Sequence, residues 1–410
     1  MRILVLSNLY PPIVRGGYEV ECSGVVERLS ERHEVLVLTS DKELQAAGPS
    51  KAGVWRDLSF LEDDWRGAVR APQAALAATA LARRALAWKP DMVYSWNHSS
   101  TPQSALRVLA DSGVPLAFRV CSHALGELFL SDQFMRELIP PGAGPARAVW
   151  GAGCRAVNAL PSMRLDPRRP LRAAISWNSE FIRSSAQPPA FVETAMERIG
   201  HSVPRHGGLY EAIERQPASE PEIVFLGRVT PFKGLEIAIR ALALLHEDHE
   251  IEARLVVVGP EDPDHGGEMR RLAASLGIAE SVLWRGQRSA EQAAAELARA
   301  HALIVPSLWQ EPFPLVTIEG AFARVPLVAA DVGGIGEGMH DEEHALLYPS
   351  EDPAAAAGAL ARTLKEPDQT AARVIRARER AQSLFTLERY LDEQERFVAD
   401  AVEVLSPASS

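Results

Sequence analysis

Three segments of this sequence hold residues whose types and spacing could do chemistry. In Ile223-Val-Phe-Leu-Gly-Arg228-Val-Thr-Pro-Phe-Lys233-Gly234, an arginine stands at the end of an apolar run and a lysine follows five residues on, where a helix begins. An arginine can fork two oxygens, a lysine adds a point charge, and a helix N-terminus favours negative charge, so this pattern suits a diphosphate. In Pro306-Ser-Leu-Trp-Gln-Glu311-Pro-Phe-Pro-Leu-Val-Thr-Ile-Glu319, one carboxylate lies on a loop and the other on a helix that Pro314 can open. The helical carboxylate can accept two ribose hydroxyls, and the loop carboxylate can hold sugar hydroxyls. The apolar neighbours Phe313, Leu315, Val316 and Ile318 argue that this segment is buried. The third segment, Pro11 to Gly17, ends in adjacent Gly16 and Gly17 before a helix starting near Tyr18. Glycines there allow close backbone approach to an anion or a sugar, with free N–H groups pointing at it. The G-x-G-x-x-G dinucleotide fingerprint is absent from that loop.

Loops of this kind need strands behind them. Apolar, β-branched runs occur at Ile3–Leu6, Val35–Thr39, Met92–Trp96, Leu116–Val120 and Ala173–Trp177, then at Ile223–Leu226, Arg254–Val258, Val282–Trp284, Ala302–Val305, Leu327–Ala330 and Ala345–Leu347. Helical patterns separate them, and most lack in/out alternation, which indicates βαβ units and parallel sheets covered on both faces. Two such series predict an α/β protein with two Rossmann-like domains. Pro, Gly and Ser between 203 and 220 mark a linker. The expected division is 1–205, 206–385, and a terminal helix and tail over 386–410. Ligands of open parallel sheets bind beyond the carboxyl ends of the strands, where all three segments lie.

A chain of 410 residues with 47% hydrophobic and 24% charged residues has ample material for two cores. Net charge is −11, which argues against nucleic acid as a partner. The charge is uneven: residues 1–205 carry 24 Lys and Arg against 20 Asp and Glu, whereas 206–410 carry 19 against 34. Cys22, Cys121 and Cys154 form no C-x-x-C pair, so a reducing cytoplasm is expected and neither a disulfide framework nor a structural zinc. The first apolar run is too short for a signal-peptide core, and the Ala-rich stretch 74–82 is too short to span a bilayer.

With these blocks in order, the chain resembles the retaining GT-B glycosyltransferases of family 4. The resemblance rests on the first strand, the Pro/Gly-Gly loop, GRVTPFKG, the E-x7-E segment EPFPLVTIE, and Asp331-Val-Gly333-Gly334-Ile-Gly-Glu337. It implies two Rossmann-like domains facing across a cleft, with the C-terminal helix returning to the first. It also implies that Arg228 and Lys233 bind the donor diphosphate, Glu319 the ribose and Glu311 the transferred sugar. Gly16 and Gly17 would lie between diphosphate and acceptor, and the amides of Leu315 and Val316 would reach the donor. The backbone near Arg285, Gly286 and Gln287 would meet the base. A histidine that family members often carry after the third or fourth strand corresponds here either to Cys121 or to His123. Pro314 and Arg324-Val325 depart from the family's usual glycine and small residue.

Other clusters read as ordinary structure. Asp262-Pro-Asp264 imitates a metal-binding D-x-D but sits among turn residues. His246 to His249 and His340 to His344 combine imidazoles and carboxylates in charged loops, where solvated or capping roles are expected. The Arg-rich stretch 163–172 could face an anionic acceptor or a membrane surface, but its Asp and two prolines favour a solvated loop. The function expected is metal-independent sugar transfer, with retention, from a nucleotide-diphosphate sugar to a saccharide, lipid-linked or small-molecule acceptor. The alternatives are a nucleotide-sugar epimerase on the same fold, or a catalytically silent sugar-binding partner.

Overall fold

The computed structural model describes residues 1–42, 53–96, 99–139 and 145–406. The expected tail, 407–410, lies outside them. Two compact units are present: Met1–Gly200 together with Leu391–Ser410, and His201–Tyr390.

The first unit contains β1 (Arg2–Leu6), β2 (Glu34–Ser40), β3 (Val54–Leu58), β4 (Met92–Ser95), β5 (Leu116–Val120), β6 (Leu171–Trp177) and β7 (Val192–Ile199). They form one parallel sheet in the order β3-β2-β1-β4-β5-β6-β7. The second contains β8 (Glu222–Leu226), β9 (Arg254–Val258), β10 (Val282–Gly286), β11 (Ala302–Val305), β12 (Leu327–Ala330) and β13 (Leu346–Tyr348). Its parallel order is β10-β9-β8-β11-β12-β13. Central strands are largely apolar because helices cover both faces: Leu4, Leu6, Val93 and Phe118 are buried in one unit, and Val224, Val256, Leu303 and Val328 in the other, while Arg119 of β5 is buried with Glu21 as its ion-pair partner at 2.6 Å. Chain order reverses between β1 and β4 and again between β8 and β11, which opens a crevice at the carboxyl ends of each pair.

Every apolar run named from the sequence is a strand to within a residue or two. The sequence reading misses β3 and β7, the two edges of the first sheet. Edge strands are half-solvated, so their residues mix charge with hydrophobicity: β7 is Val-Glu-Thr-Ala-Met-Glu-Arg-Ile, exposed over much of its length.

The stretch 203–220, expected as a linker, is stitched along the second unit instead. Gly207 lies so near Phe322 that a Cβ would approach its ring to 3.2 Å. The Arg324 guanidinium donates to the Ile213 carbonyl, and that of Arg215 to the carbonyls of Leu297 and Ala300 at the end of the helix Ala290–Arg299. The Gln216 and Ala218 amides bond Ala298 and Arg299 carbonyls at 3.0 and 3.1 Å. Pro, Gly and Ser there signal irregular backbone; Arg324 satisfies a carbonyl of it, and Arg215 reaches out of it to the helix end. Arg324, whose place before β12 the sequence leaves without a reason, thereby acquires one.

The helix Leu387–Leu405 joins the first unit from Leu391 onward. Its Gln394 accepts from the Tyr94 hydroxyl at 2.7 Å in the core, and Asp392 and Glu395 pair with Arg28. No helix among the described residues is long and apolar enough to cross a membrane.

Candidate functional site

In the second unit the loop after β8 and the loop after β11 meet at the reversal point. Gly234, at φ 67°, closes the turn Pro231–Lys233, and a Cβ there would stand 1.9 Å from the Pro306 carbonyl oxygen. Only glycine combines that left-handed backbone with that approach. The Leu308 amide donates to the Phe232 carbonyl at 2.9 Å, which ties the two loops side by side. The consequence is a pair of opposite charges: Lys233 Nζ lies 2.6 Å from Glu311 Oε1, and the Ser307 hydroxyl donates to the same oxygen at 2.6 Å. Glu311 is buried while Lys233 remains partly open, so the pair presents its ammonium side to solvent.

The loop after β12 grips the other side of Glu311. Gly333, at φ 59°, approaches so closely that a Cβ would stand 2.3 Å from the Glu311 carbonyl oxygen. The Gly334 amide donates to that carbonyl at 2.7 Å, and the Gly333 amide to Gln310 Oε1 at 3.0 Å. Beyond it, Phe313 is buried against His201 and Phe385, with ring centroids at 5.0 and 5.5 Å, and His201 Nε2 lies 2.7 Å from Glu337 Oε1. Three of the five sequence blocks, GRVTPFKG, EPFPLVTIE and Asp331 to Glu337, thus form one clamp that fixes the Glu311 backbone.

Three groups beside this clamp are uncommitted. Arg228 is exposed; its carbonyl accepts the Thr230 amide at 3.0 Å, and its guanidinium makes no hydrogen bond or ion pair with any described residue. The helix Leu315–Phe322 starts at Pro314 with no side-chain cap, and the amides of its half-buried Leu315 and Val316 donate to no described residue. The missing N–H of Pro314 costs nothing at a helix start. The carboxyl of Glu319, in the same helix, accepts no hydrogen bond from a described residue, and burial pushes it up to about 7. Burial, and after it the charge of Glu319, pushes up the hydroxyl of Tyr210, a residue the sequence does not mark. Nothing in the spacing of Tyr210 or Ser307 marks them, because both reach the site through the fold.

The residues expected near the base lie at the end of β10. The register shifts between Trp284 and Gly286, Gly286 has φ 65°, and its carbonyl accepts from the Gly259 amide at 2.9 Å. The Arg285 guanidinium pairs with Glu296 at 3.4 Å.

In the first unit the strand-end groups are largely spent on one another. Gly16 is extended and caps the helix Gly17–Ser30, but the Glu19 carboxylate takes the Arg15 and Gly16 amides at 3.3 and 2.9 Å. The expectation that Gly16 offers a free N–H is therefore corrected: an internal anion already occupies that helix start. Arg56 of β3, buried and also missed from the sequence, donates to the Tyr10 and Pro11 carbonyls at 3.1 and 2.5 Å and holds the loop in place. His123 Nε2 lies 3.1 Å from the Ser185 hydroxyl and its ring edges onto Phe181. Cys121 is the residue directly after β5.

The remaining clusters have structural work. Asp262 caps the helix Pro263–Ser275, accepting the Asp264 and His265 amides at 3.1 Å each. His246 Nε2 bonds the Ala253 carbonyl at 2.8 Å. His340, Glu343 and His344 place one possible ligand atom each within 4.8 Å of one another. His344 Nδ1, however, accepts the His340 amide at 3.2 Å, which leaves the ring proton on Nε2, the nitrogen that faces Glu343. This is the arrangement of a hydrogen-bonded loop.

Two parallel sheets of this order define the GT-B architecture. Solved structures agree over nearly the whole chain: a glycosyltransferase from Rickettsia africae has TM-score 0.70 at 14% identity, covering 99% of each chain. The sucrose-phosphate synthase of Thermosynechococcus elongatus has TM-score 0.70 at 19% identity, covering 97% of this chain and 98% of that one. Anabaena HepE in complex with UDP has TM-score 0.66 at 19% identity, covering 98% and 100%. Residues 210–380 match the sequence profile of the glycosyl transferases group 1. The D-inositol 3-phosphate glycosyltransferase of Acidothermus cellulolyticus is 36% identical over 196 residues, 46% of this chain and 42% of that protein. That of Streptomyces coelicolor is 38% identical over 153 residues, 36% and 33% of the two chains. The matched stretch spans less than half the length of these relatives.

Proposed function

We propose that the chain transfers a sugar from a nucleotide-diphosphate donor to a hydroxyl acceptor, with retention at the anomeric carbon and without a metal. The observation that carries this reading is the reversal point of the second sheet. There the Lys233–Glu311 pair, an unpaired Arg228 and the uncapped start of Leu315–Phe322 converge. That HepE was solved with UDP, on the same fold, supports a nucleotide donor.

The roles follow from charge. When the bond from the anomeric carbon to the diphosphate oxygen breaks, negative charge grows on the leaving phosphate and positive charge on the sugar ring. Arg228, Lys233 and the Leu315 and Val316 amides would hold the phosphate charge, and Glu311 would hold the sugar. The acceptor oxygen then bonds the anomeric carbon from the face the phosphate leaves, and its proton passes to a phosphate oxygen. Glu319 would hold the ribose, with the backbone around Arg285 and Gly286 at the base. Acceptor recognition would fall to the loops of the first unit around Gly16, Gly17 and His123. Three free cysteines suit a cytoplasmic setting. Asp262 is engaged as a helix cap, and the cations supply the charge a metal would otherwise bring.

The test is to melt the full chain with UDP, GDP and ADP and with their hexose conjugates, then to follow the stabilising conjugate by proton NMR, with and without excess EDTA. Product whose anomeric configuration matches the donor, formed equally in EDTA, is expected. Inverted product would exclude retention, and loss in EDTA with rescue by manganese would exclude metal independence. A new nucleotide sugar formed from donor alone would favour an epimerase.

A further inference from the structure

Two large aromatic side chains stand exposed on the clamp, Trp309 at 41% and Phe232 at 65%. Single exposed apolar residues are ordinary on protein surfaces. These two share one lip, because the Leu308 amide, next to Trp309, donates to the carbonyl of Phe232, next to Lys233. The backbone of Trp309 is fixed on both sides, by that bond and by Gln310 accepting the Gly333 amide at 3.0 Å. Its indole is left outside, and the indole N–H donates to no described residue.

The ring centroid lies 5.9 Å from Lys233 Nζ. That is the outer limit for a useful cation–π attraction, and the ammonium is already committed to Glu311 at 2.6 Å. The indole face is therefore unspent, within the span of one pyranose ring from a carboxylate–ammonium pair. A pyranose has the matching duality: its C–H face suits an aromatic surface, and its hydroxyl rim suits Glu311 and Lys233.

We propose that Trp309 is the stacking platform for the transferred pyranose and so a specificity-determining residue of the donor site. This rests on the donor reading above. Arg228 and Lys233 recognise the diphosphate that all such donors share, whereas Trp309 reads the ring that differs among them. The Trp309→Ala chain keeps its affinity for the nucleoside diphosphate and loses affinity for the nucleotide hexose, and Trp309→Phe restores most of it.

The experiment is calorimetric titration of full-length wild type, Trp309→Ala and Trp309→Phe. The probes are whichever of UDP, GDP and ADP stabilises the wild type, and its glucose and mannose conjugates. The expected loss in Trp309→Ala is roughly 3- to 10-fold, confined to a conjugate. Melting without ligand is measured alongside and should not move, since the indole packs little. Equal conjugate affinity in wild type and Trp309→Ala overturns the proposal. So does an equal loss for diphosphate and conjugate, which would mean the residue merely holds the loop. If neither diphosphates nor conjugates bind the wild type, the donor reading itself fails, and the platform with it.

Discussion

Both units have the same strand order around their reversal points, yet their strand-end loops treat polar groups in opposite ways. In the first unit several strand-end polar side chains are satisfied internally, although the buried hydroxyls of Thr39 and Ser40 have no hydrogen-bond partner among the described residues. Asn8 bonds Ser99, Ser100 and Thr101, Glu19 covers the helix start, Arg56 holds two loop carbonyls, and His123 meets Ser185. In the second unit Arg228, Glu319 and the amides of Leu315 and Val316 are left without partners among the described residues. The desolvated Glu319 carboxylate costs stability whereas the solvated Arg228 does not, and both leave this crevice able to meet a ligand. The difference teaches where the charged donor should bind. In the first unit Glu19, Arg56 and His123 are engaged within the protein, which suits a ligand recognised by shape and hydroxyls.

The largest effects should come from the cations. Arg228→Ala should weaken binding of the nucleoside diphosphate by roughly 10- to 100-fold, the worth of a charge-assisted contact, without altering melting, since the side chain has no partner to lose. Lys233→Ala should lose as much affinity and also lower the melting temperature, because it leaves the buried Glu311 unpaired. Titration calorimetry and melting of the two variants decide this. Wild-type affinity in both would erase the contrast between the units.

The carboxylates come next. Glu311→Gln should lower turnover even at saturating donor, whereas Glu319→Gln should mainly raise the donor Michaelis constant, since ribose lies away from the broken bond. Steady-state kinetics of both variants would expose a reversal of roles as the opposite split.

Glu319 also makes a pH prediction. Its carboxyl ionises near 7 in the folded chain against 4.5 in the reference state, so ionisation is resisted by the fold. The resulting penalty is absent below the unfolded value, grows between the two, and is complete above 7. Glu319→Gln should therefore raise the melting temperature at pH 8 and have a shrinking effect as pH falls toward 4.5. A constant difference across that range would mean that Glu319 is not desolvated.

The smallest effect belongs to the first unit. Glu19→Ala removes the carboxylate from the Arg15 and Gly16 amides and should cost about 1 kcal/mol of stability, as other cap losses do. Affinity for the nucleoside diphosphate should not change. A gain in diphosphate affinity would show that Glu19 had been holding a second anion site closed.

By itself the sequence determined the layers, the central strands and the loop residues that close around Glu311. A strand buried on both faces is mostly apolar, and such runs are visible without a structure. Gly234, Gly333 and Glu311 are legible too, because tight turns and strand ends restrict residue type. Tertiary structure alone decided the rest. It supplied the half-solvated edges β3 and β7, whose mixed composition carries no run, and it drew 203–220 onto the second unit through Arg215 and Arg324. It also decided which charges remain open: the spacing of Glu19 from Gly16 and of Lys233 from Glu311 does not say which pair closes on itself. That depends on where each loop leaves its strand and on how far each side chain must reach to satisfy a buried polar group.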